Sequence, residues 1–325
     1  MNATPATSSD AGDPSPKPVK GVEILPMTMA DGVVVSAQVC VAAKAAQARA
    51  VLLHGTGLHS GLYLQFGRML AMLGVEVALL DLRGHGLSQG ERGHIAYEQQ
   101  YCDDLVQCLQ VLAARSPLPL VVLAHSGGAA LLLKTLSKLV KLNWQGLAGV
   151  ALLAPTFGSE PSMVRRDISG TAHLAPMRYG LPVKAARKVE DDGRNSMEFS
   201  LASFLLARTL GIGKRRPVLR CAPALPTETE YVYSANGVAG TSIGMLESSL
   251  AYLTCPLLLA TGEKDVFVND ASLHAIVPWA VAPELPYHAY SFAAGDHFTM
   301  LFQAIKPLHA WIMQCLPTSI VEKAA

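Results

Sequence analysis

The sequence is poor in charged side chains. Asp, Glu, Lys and Arg make up 16% of its 325 residues, and the formal net charge at pH 7 is +1. This balance gives no electrostatic reason to expect a nucleic acid as a partner. No apolar run reaches the roughly 18 residues that a membrane-spanning helix needs, and residues 1–18 lack the apolar segment of a secretory signal. We therefore expect a globular protein without a transmembrane segment.

Cysteine is also sparse, and its spacing excludes common structural uses. The six cysteines are scattered and include no C-x-x-C pair; they are Cys40, Cys102, Cys108, Cys221, Cys255 and Cys315. Scattered single cysteines in apolar surroundings are typical of reduced thiols in a cytoplasmic protein. His85 and His94 flank a glycine-rich loop, but their spacing without a carboxylate pattern does not favour a metal site. We expect no metal and no cofactor.

Half of the residues are hydrophobic, and they form short apolar runs that alternate with helical patterns. The runs that predict buried strands lie at 50–53, 75–80, 120–123, 147–153, 256–260 and 287–292. Segments 62–73 and 99–114 have apolar residues at helical spacing. Two further strands, 22–29 and 33–41, flank an Asp-Gly turn and predict an antiparallel start. The pattern predicts an α/β fold with a mostly parallel sheet and helices on both faces.

This alternation is interrupted after Pro155. Residues 156–249 contain several prolines and no apolar run typical of a buried strand, so we interpret them as a mostly helical cap inserted between two strands. The core is then 21–155 together with 250–325. Residues 1–20, rich in Pro, Ser, Ala and Asp, are expected to be a disordered tail.

The segment from Ala124 to Gly128 joins an apolar strand to an Ala/Leu-rich helix and carries Ser126 at its centre. Small residues at Ala124 and Gly128 let the two elements pack closely, which leaves the serine at the apex. This is the pattern of a nucleophile elbow, G-x-S-x-G, with Ala124 in place of the first glycine. The alternative is a small-residue turn that carries a solvated serine.

Three other polar segments follow predicted strands. His54-Gly55-Thr56-Gly57 follows the strand at 50–53, Asp265 follows the strand at 256–260, and His297 follows the last strand. Ligand sites of open α/β sheets lie at these carboxyl ends. The order serine, acid, histidine is that of α/β hydrolases.

Two other acids compete with Asp265 for a role beside the histidine. Asp296 adjoins His297 in sequence, which makes a hydrogen bond between them awkward, and Asp270 lies further beyond the strand end. We therefore prefer Asp265. His125, beside the predicted nucleophile, is interpreted as structural.

Taken together, these motifs resemble the α/β-hydrolase-fold serine hydrolases, and among them the monoacylglycerol lipase and lysophospholipase branch of the S33 serine-aminopeptidase type. The residues that carry the resemblance are His54-Gly55-Thr56-Gly57, His59-Ser60-Gly61-Leu62-Tyr63, Asp81-Leu82-Arg83-Gly84-His85-Gly86-Leu87-Ser88, Gly90-Glu91-Arg92-Gly93-His94, the Ser126 elbow, Asp265 and His297. The resemblance implies an esterase or lipase that acts on a small ester such as a monoacylglycerol or lysophospholipid.

The chemistry of these residues suggests their roles. Ser126 needs a base to act as a nucleophile; His297 would supply it, and Asp265 would orient the imidazole. The backbone N–H groups of Thr56 and Gly127 would form the oxyanion hole. Gly55 and Gly57 would let the loop around Thr56 turn.

Other functions remain open at this point. An amide or peptide hydrolase of the iminopeptidase kind would need acidic residues for a free amino terminus, and the Glu190-Asp191-Asp192 cluster is the candidate. A low-turnover ligand-binding protein on the same fold would have no need of Asp265. A dinucleotide site, suggested by Gly55-x-Gly57-x-x-Ser60-Gly61, leaves Ser126 and His297 unexplained.

The predicted cap contributes an amphipathic stretch, Met197 to Leu210, and a basic group, Lys214-Arg215-Arg216. An apolar stretch near the site favours an acyl chain. The same features would permit transient contact with a lipid surface.

Overall fold

The structure, a computed structural model, describes residues 19–157, 177–179, 197–221 and 230–316. All but the last two residues of the predicted N-terminal tail lie outside these ranges. So does the acidic cluster at 190–192.

An eight-stranded sheet and a separate four-stranded sheet organise the described chain. The strands are β1 Val22–Thr28, β2 Val34–Cys40, β3 Ala48–Leu53, β4 Val75–Leu80, β5 Leu120–His125, β6 Leu147–Leu153, β7 Met177–Tyr179, β8 Met197–Phe199, β9 Pro217–Cys221, β10 Tyr231–Ser234, β11 Leu257–Gly262 and β12 Tyr287–Phe292. The helices are α1 Leu64–Met72, α2 Gln100–Ala114, α3 Gly127–Lys141, α4 Leu201–Leu210, α5 Ala235–Gly240, α6 Leu246–Leu250, α7 Asp270–Ala280, α8 Thr299–Gln303 and α9 Ile305–Gln314, with a 3₁₀ turn at Ser60–Tyr63.

The large sheet has the order β1-β2-β4-β3-β5-β6-β11-β12. The first two pairings, β1 with β2 and β2 with β4, are antiparallel, and all later pairings are parallel. Parallel neighbours need crossover connections, which the helices provide. This confirms the predicted α/β class with an antiparallel start.

The central strands are buried on both faces, and their side chains alternate between two apolar layers. In β3, Val51 and Leu53 belong to the layer formed with α2, α3 and α7, whereas Ala50 and Leu52 belong to the layer formed with α1 and α9. This alternation is the reason that the strands are continuous apolar runs in the sequence. Helices therefore cover both faces of the sheet.

The inserted segment, residues 156–249, contains strands that the sequence did not predict. We expected it to be mostly helical, but its described residues include a four-stranded sheet in the order β10-β9-β8-β7 as well as α4, α5 and α6. The sequence did not indicate these strands because they have only three to five residues each. They are stabilised by pairing with one another and by packing on the core, and neither is visible in local sequence.

The amphipathic stretch in this segment is likewise divided between two elements. Met197–Phe199 pairs in the small sheet, and Ser200 then begins α4 by accepting a hydrogen bond from Ser203 N with its side chain. A serine in this position satisfies an amide that the helix leaves unpaired.

All six cysteines are free thiols, and five of them are buried. Among the described residues, no helix combines the length and apolar character needed to cross a membrane.

An ion-pair network centred on the buried Arg83 ties three parts of the core together. Arg83, in the loop after β4, contacts Asp104 of α2 through two hydrogen bonds of 2.7 Å. It also contacts Asp31 in the β1–β2 turn at 2.7 Å. Arg83 thus ties the β1–β2 turn and α2 to the loop after β4.

We expect Arg83→Leu to lower the free energy of unfolding by about 3 kcal/mol, because removing one member of a buried pair leaves the other charge uncompensated. Asp104 is the charge left behind, since it is buried with Arg83. Urea denaturation monitored by circular dichroism measures the change. The matched control is Arg215→Leu, which breaks an exposed pair with Glu91 and should change stability by about 0.5 kcal/mol or less. Equal losses in the two variants would contradict the assignment.

Candidate active site

Ser126 occupies a strained turn between β5 and α3. Its backbone has φ 52° and ψ −125°, a conformation that L-residues rarely adopt. Its N–H donates to Leu153 O at 3.0 Å, and its carbonyl accepts from Thr156 N at 3.1 Å. These bonds hold the serine between the ends of β5 and β6. The geometry is that of a nucleophile elbow, which the residue pattern predicted.

Close packing around the turn explains its small residues. A side chain on Gly128 would place its Cβ 2.7 Å from Leu53 O, so glycine is required there. Ala124 is fully buried and pairs with Leu53 and Leu152 in the sheet. Its extra methyl group is therefore accommodated, and the elbow forms without the first glycine of the pattern.

The loops after β11 and β12 place Asp265 against His297. The distance from His297 Nδ1 to Asp265 Oδ2 is 2.7 Å, and both side chains are buried. The other carboxylate oxygen of Asp265 accepts from Phe267 N at 2.7 Å and Val268 N at 3.1 Å. A carboxylate with these partners holds the imidazole in one tautomer, with the Nδ1 proton on the Asp265 side.

The two competing acids have other partners. Asp296 Oδ1 accepts from Phe298 N at 2.9 Å and Thr299 N at 2.8 Å, at the start of α8. Asp270 accepts from Ser291 Oγ at 3.0 Å at the start of α7. Of these three acids, Asp265 is the one with a hydrogen bond to His297, as the sequence predicted.

The loop after β3 lies against the elbow. A Cβ built on Gly55 would come within 2.8 Å of Ser126 Cβ, and one built on Gly127 would lie 3.2 Å from the amide nitrogen of Thr56. Within the described part of the chain, that amide donates to no acceptor. Ser126, Gly127 and the Thr56 amide thus converge at the carboxyl edge of the sheet, which is the arrangement that an oxyanion hole requires.

His125 links this loop to the loop of His297. Gly55 N donates to Tyr63 Oη at 3.3 Å, and Tyr63 Oη lies 2.7 Å from His125 Nδ1. On the other side of the ring, His125 Nε2 lies 2.9 Å from the carbonyl oxygen of His297. That carbonyl can only accept, so Nε2 carries the proton and Nδ1 accepts from the tyrosine. Burial moves the pKa of His125 well below its usual value, which keeps the ring neutral.

This arrangement makes His125 structural, as predicted, but gives it a specific partner that sequence reasoning missed. Tyr63 is 62 positions from His125 along the chain, so no local pattern could pair them. Tyr233, contributed by β10 of the insertion, is a second residue that the sequence did not indicate. Its hydroxyl reaches Gly57 N at 2.7 Å.

Two other polar residues of this edge, Asp81 and His94, bond to neighbouring segments. Asp81 accepts from Ser60 N at 2.6 Å, Ser60 Oγ at 2.8 Å and Leu87 N at 2.9 Å. His94 Nδ1 lies 2.9 Å from Ser234 Oγ. No group of three or more potential ligands converges as a metal site within the described residues.

Comparison with known proteins finds a family match and several relatives. The family described as "Serine aminopeptidase, S33" matches residues 44–192, a range that includes the Thr56 loop and the elbow but ends before Asp265 and His297. A monoacylglycerol lipase of Mycolicibacterium smegmatis is 24% identical over 245 residues, covering 74% of this chain and 78% of the relative. The human monoglyceride lipase is 28% identical over 234 residues, covering 69% and 74%.

Solved structures agree on the fold. A soluble variant of the Saccharomyces cerevisiae monoglyceride lipase superposes with a TM-score of 0.66 at 14% identity, over 94% of this chain and 100% of the other. A putative aryl esterase from Burkholderia cenocepacia gives 0.57 at 18% identity, over 90% and 99%. With the sheet topology, these structures show that the chain has the α/β-hydrolase fold, and its relatives are similar hydrolases. Within that class it is esterase- or lipase-like, and it has monoacylglycerol lipases as homologues.

Buried neutral histidines predict a pH dependence of stability. Burial lowers the pKa of His85 to about 3, below the value of about 6.5 expected in the unfolded chain. Between these two values the unfolded chain binds a proton that the folded chain does not, so stability is full above about pH 6.5 and falls as the pH drops.

We expect His85 to account for about 2 kcal/mol of the stability lost between about pH 7.5 and about pH 5. Comparing urea unfolding of the wild type and His85→Asn at both pH values tests this. The variant should start less stable but lose less stability on acidification. Parallel losses in the two proteins would show that His85 is not held neutral.

Proposed function

We propose that the protein is a serine carboxylic-ester hydrolase that forms an acyl-enzyme on Ser126. The observation that carries the proposal is the convergence described above. The strained Ser126 lies against Gly55, and the next residue, Gly127, lies against the Thr56 amide. The paired Asp265 and His297 follow β11 and β12. The ring centroid of His297 lies 4.7 Å from that of His125, the residue before Ser126. His297 is therefore adjacent to the elbow.

In the proposed reaction, Ser126 Oγ attacks the ester carbonyl carbon while His297 Nε2 accepts the hydroxyl proton. Asp265 stabilises the imidazolium that forms. The Thr56 and Gly127 amides donate to the developing oxyanion, and each such donor typically contributes about 3 kcal/mol. His297 then gives its proton to the leaving alcohol. A water molecule, activated by the same histidine, hydrolyses the acyl-enzyme.

A monoacylglycerol or a similar ester is the substrate class that we propose. Support comes from the relatives, which are named monoacylglycerol or monoglyceride lipases. We further propose that residues 156–249 act as the cap over the site, since Tyr233 of this segment contacts the loop beside Ser126.

We also propose two further properties. The first is transient contact with a lipid surface, and the second is a cytoplasmic location. The exposed side chains of Leu206, Leu210 and Ile212, followed by exposed Lys214 and Arg216, support the first. Apolar side chains bordered by cations suit the interface of an anionic bilayer. The six free cysteines support the second, because free thiols are typical of reducing compartments.

Replacing the nucleophile is the direct test. We expect Ser126→Ala to abolish hydrolysis of p-nitrophenyl butyrate and p-nitrophenyl octanoate and to prevent labelling by a fluorophosphonate probe. Circular dichroism should show an unchanged fold. Retained hydrolysis in a folded Ser126→Ala protein would contradict the proposal. An unlabelled, inactive wild type would instead indicate a low-turnover binding protein.

The assignment of the acid is tested by matched carboxamide variants. We expect Asp265→Asn to lower kcat by about 10⁴-fold, because the amide supports the wrong histidine tautomer. Asp270→Asn is the control and should keep kcat within about twofold, because its carboxylate bonds to Thr261 and Ser291 and not to His297. If kcat fell further in Asp270→Asn than in Asp265→Asn, Asp270 would be the acid that orients His297.

An amide hydrolase is the alternative, and the matched family carries the description "Serine aminopeptidase, S33". Residues 190–192, which would bind a free amino terminus in that function, lie outside the described residues. Comparing an acyl ester with an aminoacyl p-nitroanilide separates the two functions. We expect kcat/KM to be higher for the ester, and the reverse order would favour the aminopeptidase.

A further inference from the structure

The side chain of Tyr233 connects the insertion to the loop that carries Thr56. Tyr233 lies in β10 and is almost fully buried. Its hydroxyl oxygen lies 2.7 Å from Gly57 N and 2.7 Å from His85 Nε2. Gly57 directly follows Thr56 in the chain, and Tyr233 lies 176 positions after Gly57. One hydroxyl group therefore joins two distant parts of the chain beside the proposed oxyanion hole.

The direction of each hydrogen bond follows from its partners. An amide N–H can only donate, so Tyr233 Oη accepts from Gly57. His85 Nδ1 lies 2.9 Å from Arg83 O, which can only accept, and the proton of this ring is therefore on Nδ1. His85 Nε2 is then left to accept the proton of the Tyr233 hydroxyl. The hydroxyl has one donor and one acceptor in opposite directions, so its position is well defined.

The loop around Thr56 is held on both sides by tyrosine hydroxyls. Gly55 N donates to Tyr63 from the core, and Gly57 N donates to Tyr233 from the insertion. Thr56 lies between them, with its amide beside Gly127. Because the two flanking amides are tied, the plane of the Thr56 amide has little freedom to rotate.

Backbone packing around Gly57 reinforces this contact. Gly57 has φ +75°, and a Cβ built on it would lie 2.8 Å from Cys221 Cβ in β9. No other residue type fits there without moving the insertion. The insertion thus touches the loop through two adjacent strands, β9 and β10.

We propose that Tyr233 is a positioning residue that orients the Thr56 amide, so that the oxyanion hole is complete only when the insertion is seated on the core. This inference rests on the proposed ester hydrolysis. Among the described residues, Tyr233 has no hydrogen bond or ring contact with Ser126 or His297. It acts through Gly57, on which the direction of the neighbouring N–H depends. The contact supports catalysis because a donor aimed at the oxyanion position stabilises the transition state more than the ground state.

A purely structural role for Tyr233 has a different signature. If its hydroxyl only anchored the insertion, its loss would lower thermal stability and substrate binding, but each folded molecule would keep its turnover number. If it orients Thr56, its loss lowers kcat at nearly constant KM. It also weakens a trifluoromethyl ketone inhibitor, whose hemiketal oxyanion occupies the same hole.

The experiment compares Tyr233→Phe with Tyr231→Phe. Tyr231 is the matched control because it lies in the same strand and stacks on His85 at 4.8 Å, while its hydroxyl accepts from Gly86 N instead of Gly57 N. The substrates are p-nitrophenyl esters, and active-site labelling with a fluorophosphonate counts the folded sites. For Tyr233→Phe we expect kcat per labelled site to fall about tenfold with KM within about twofold. The inhibition constant of the trifluoromethyl ketone should rise by a similar factor.

Tyr231→Phe should leave all three quantities within about twofold of the wild type. If the two variants have equal kcat while the wild type is active, the positioning proposal is overturned and the proposed hydrolase function stands. A wild type without Ser126-dependent turnover would overturn both. A loss of kcat in Tyr233→Phe without weaker inhibition by the ketone would also overturn the positioning role, because the oxyanion hole would then be intact.

A second variant covers the case in which Tyr233→Phe does not fold. Replacing Tyr233 by 3,5-difluorotyrosine keeps the hydroxyl and nearly the same volume but makes the oxygen a poorer acceptor. A severalfold lower kcat at unchanged KM, accompanied by weaker inhibition by the ketone, supports the proposal. An unchanged kcat in this folded protein overturns it.

Discussion

The backbone conformation of Ser126 is the constraint on which the rest of the site depends. An L-residue with positive φ must be held by its surroundings, and here Leu153 and Thr156 hold it by hydrogen bonds to its N–H and carbonyl. Gly128 packs directly on the carbonyl of Leu53, so the turn into α3 is tight enough to bring the serine against the loop after β3. The sheet and its two apolar layers provide the support that keeps this strained residue in place.

Around the elbow, buried histidines join the loops that the sheet brings together. His125 connects Tyr63 to the carbonyl of His297, and His85 connects the loop after β4 to Tyr233. In both cases a carbonyl partner determines which nitrogen carries the proton, and burial lowers the pKa so that the ring stays neutral. These neutral rings, each with one donor and one acceptor, leave the buried pair of Asp265 and His297 as the proton-transfer pair of the proposed reaction.

The core and the insertion differ in how well local patterns predict them. Strands such as β3 and β5 are buried on both faces, so their Val/Leu runs are visible in the sequence. The strands of the insertion are short and contain polar residues such as Arg220, which pair across the small sheet. Their stability depends on contacts with neighbours. The sequence therefore indicated helices such as α4 but not the small sheet, whose strands depend on tertiary packing.

The sequence by itself determined the α/β class, the elbow at Ser126, and the order in which Asp265 and His297 follow it. These features could be predicted because parallel strands place their carboxyl ends at one edge, and residues just after each strand must then meet. Only the tertiary structure decided which backbone amides hold the Asp265 carboxylate, and which residues hold the Thr56 loop. Tyr63 and Tyr233 approach that loop from distant positions. Each tyrosine hydroxyl bonds to one glycine amide, Tyr63 to Gly55 and Tyr233 to Gly57. Such a bond requires the two atoms to be placed to within a few tenths of an ångström, and no residue pattern encodes that placement.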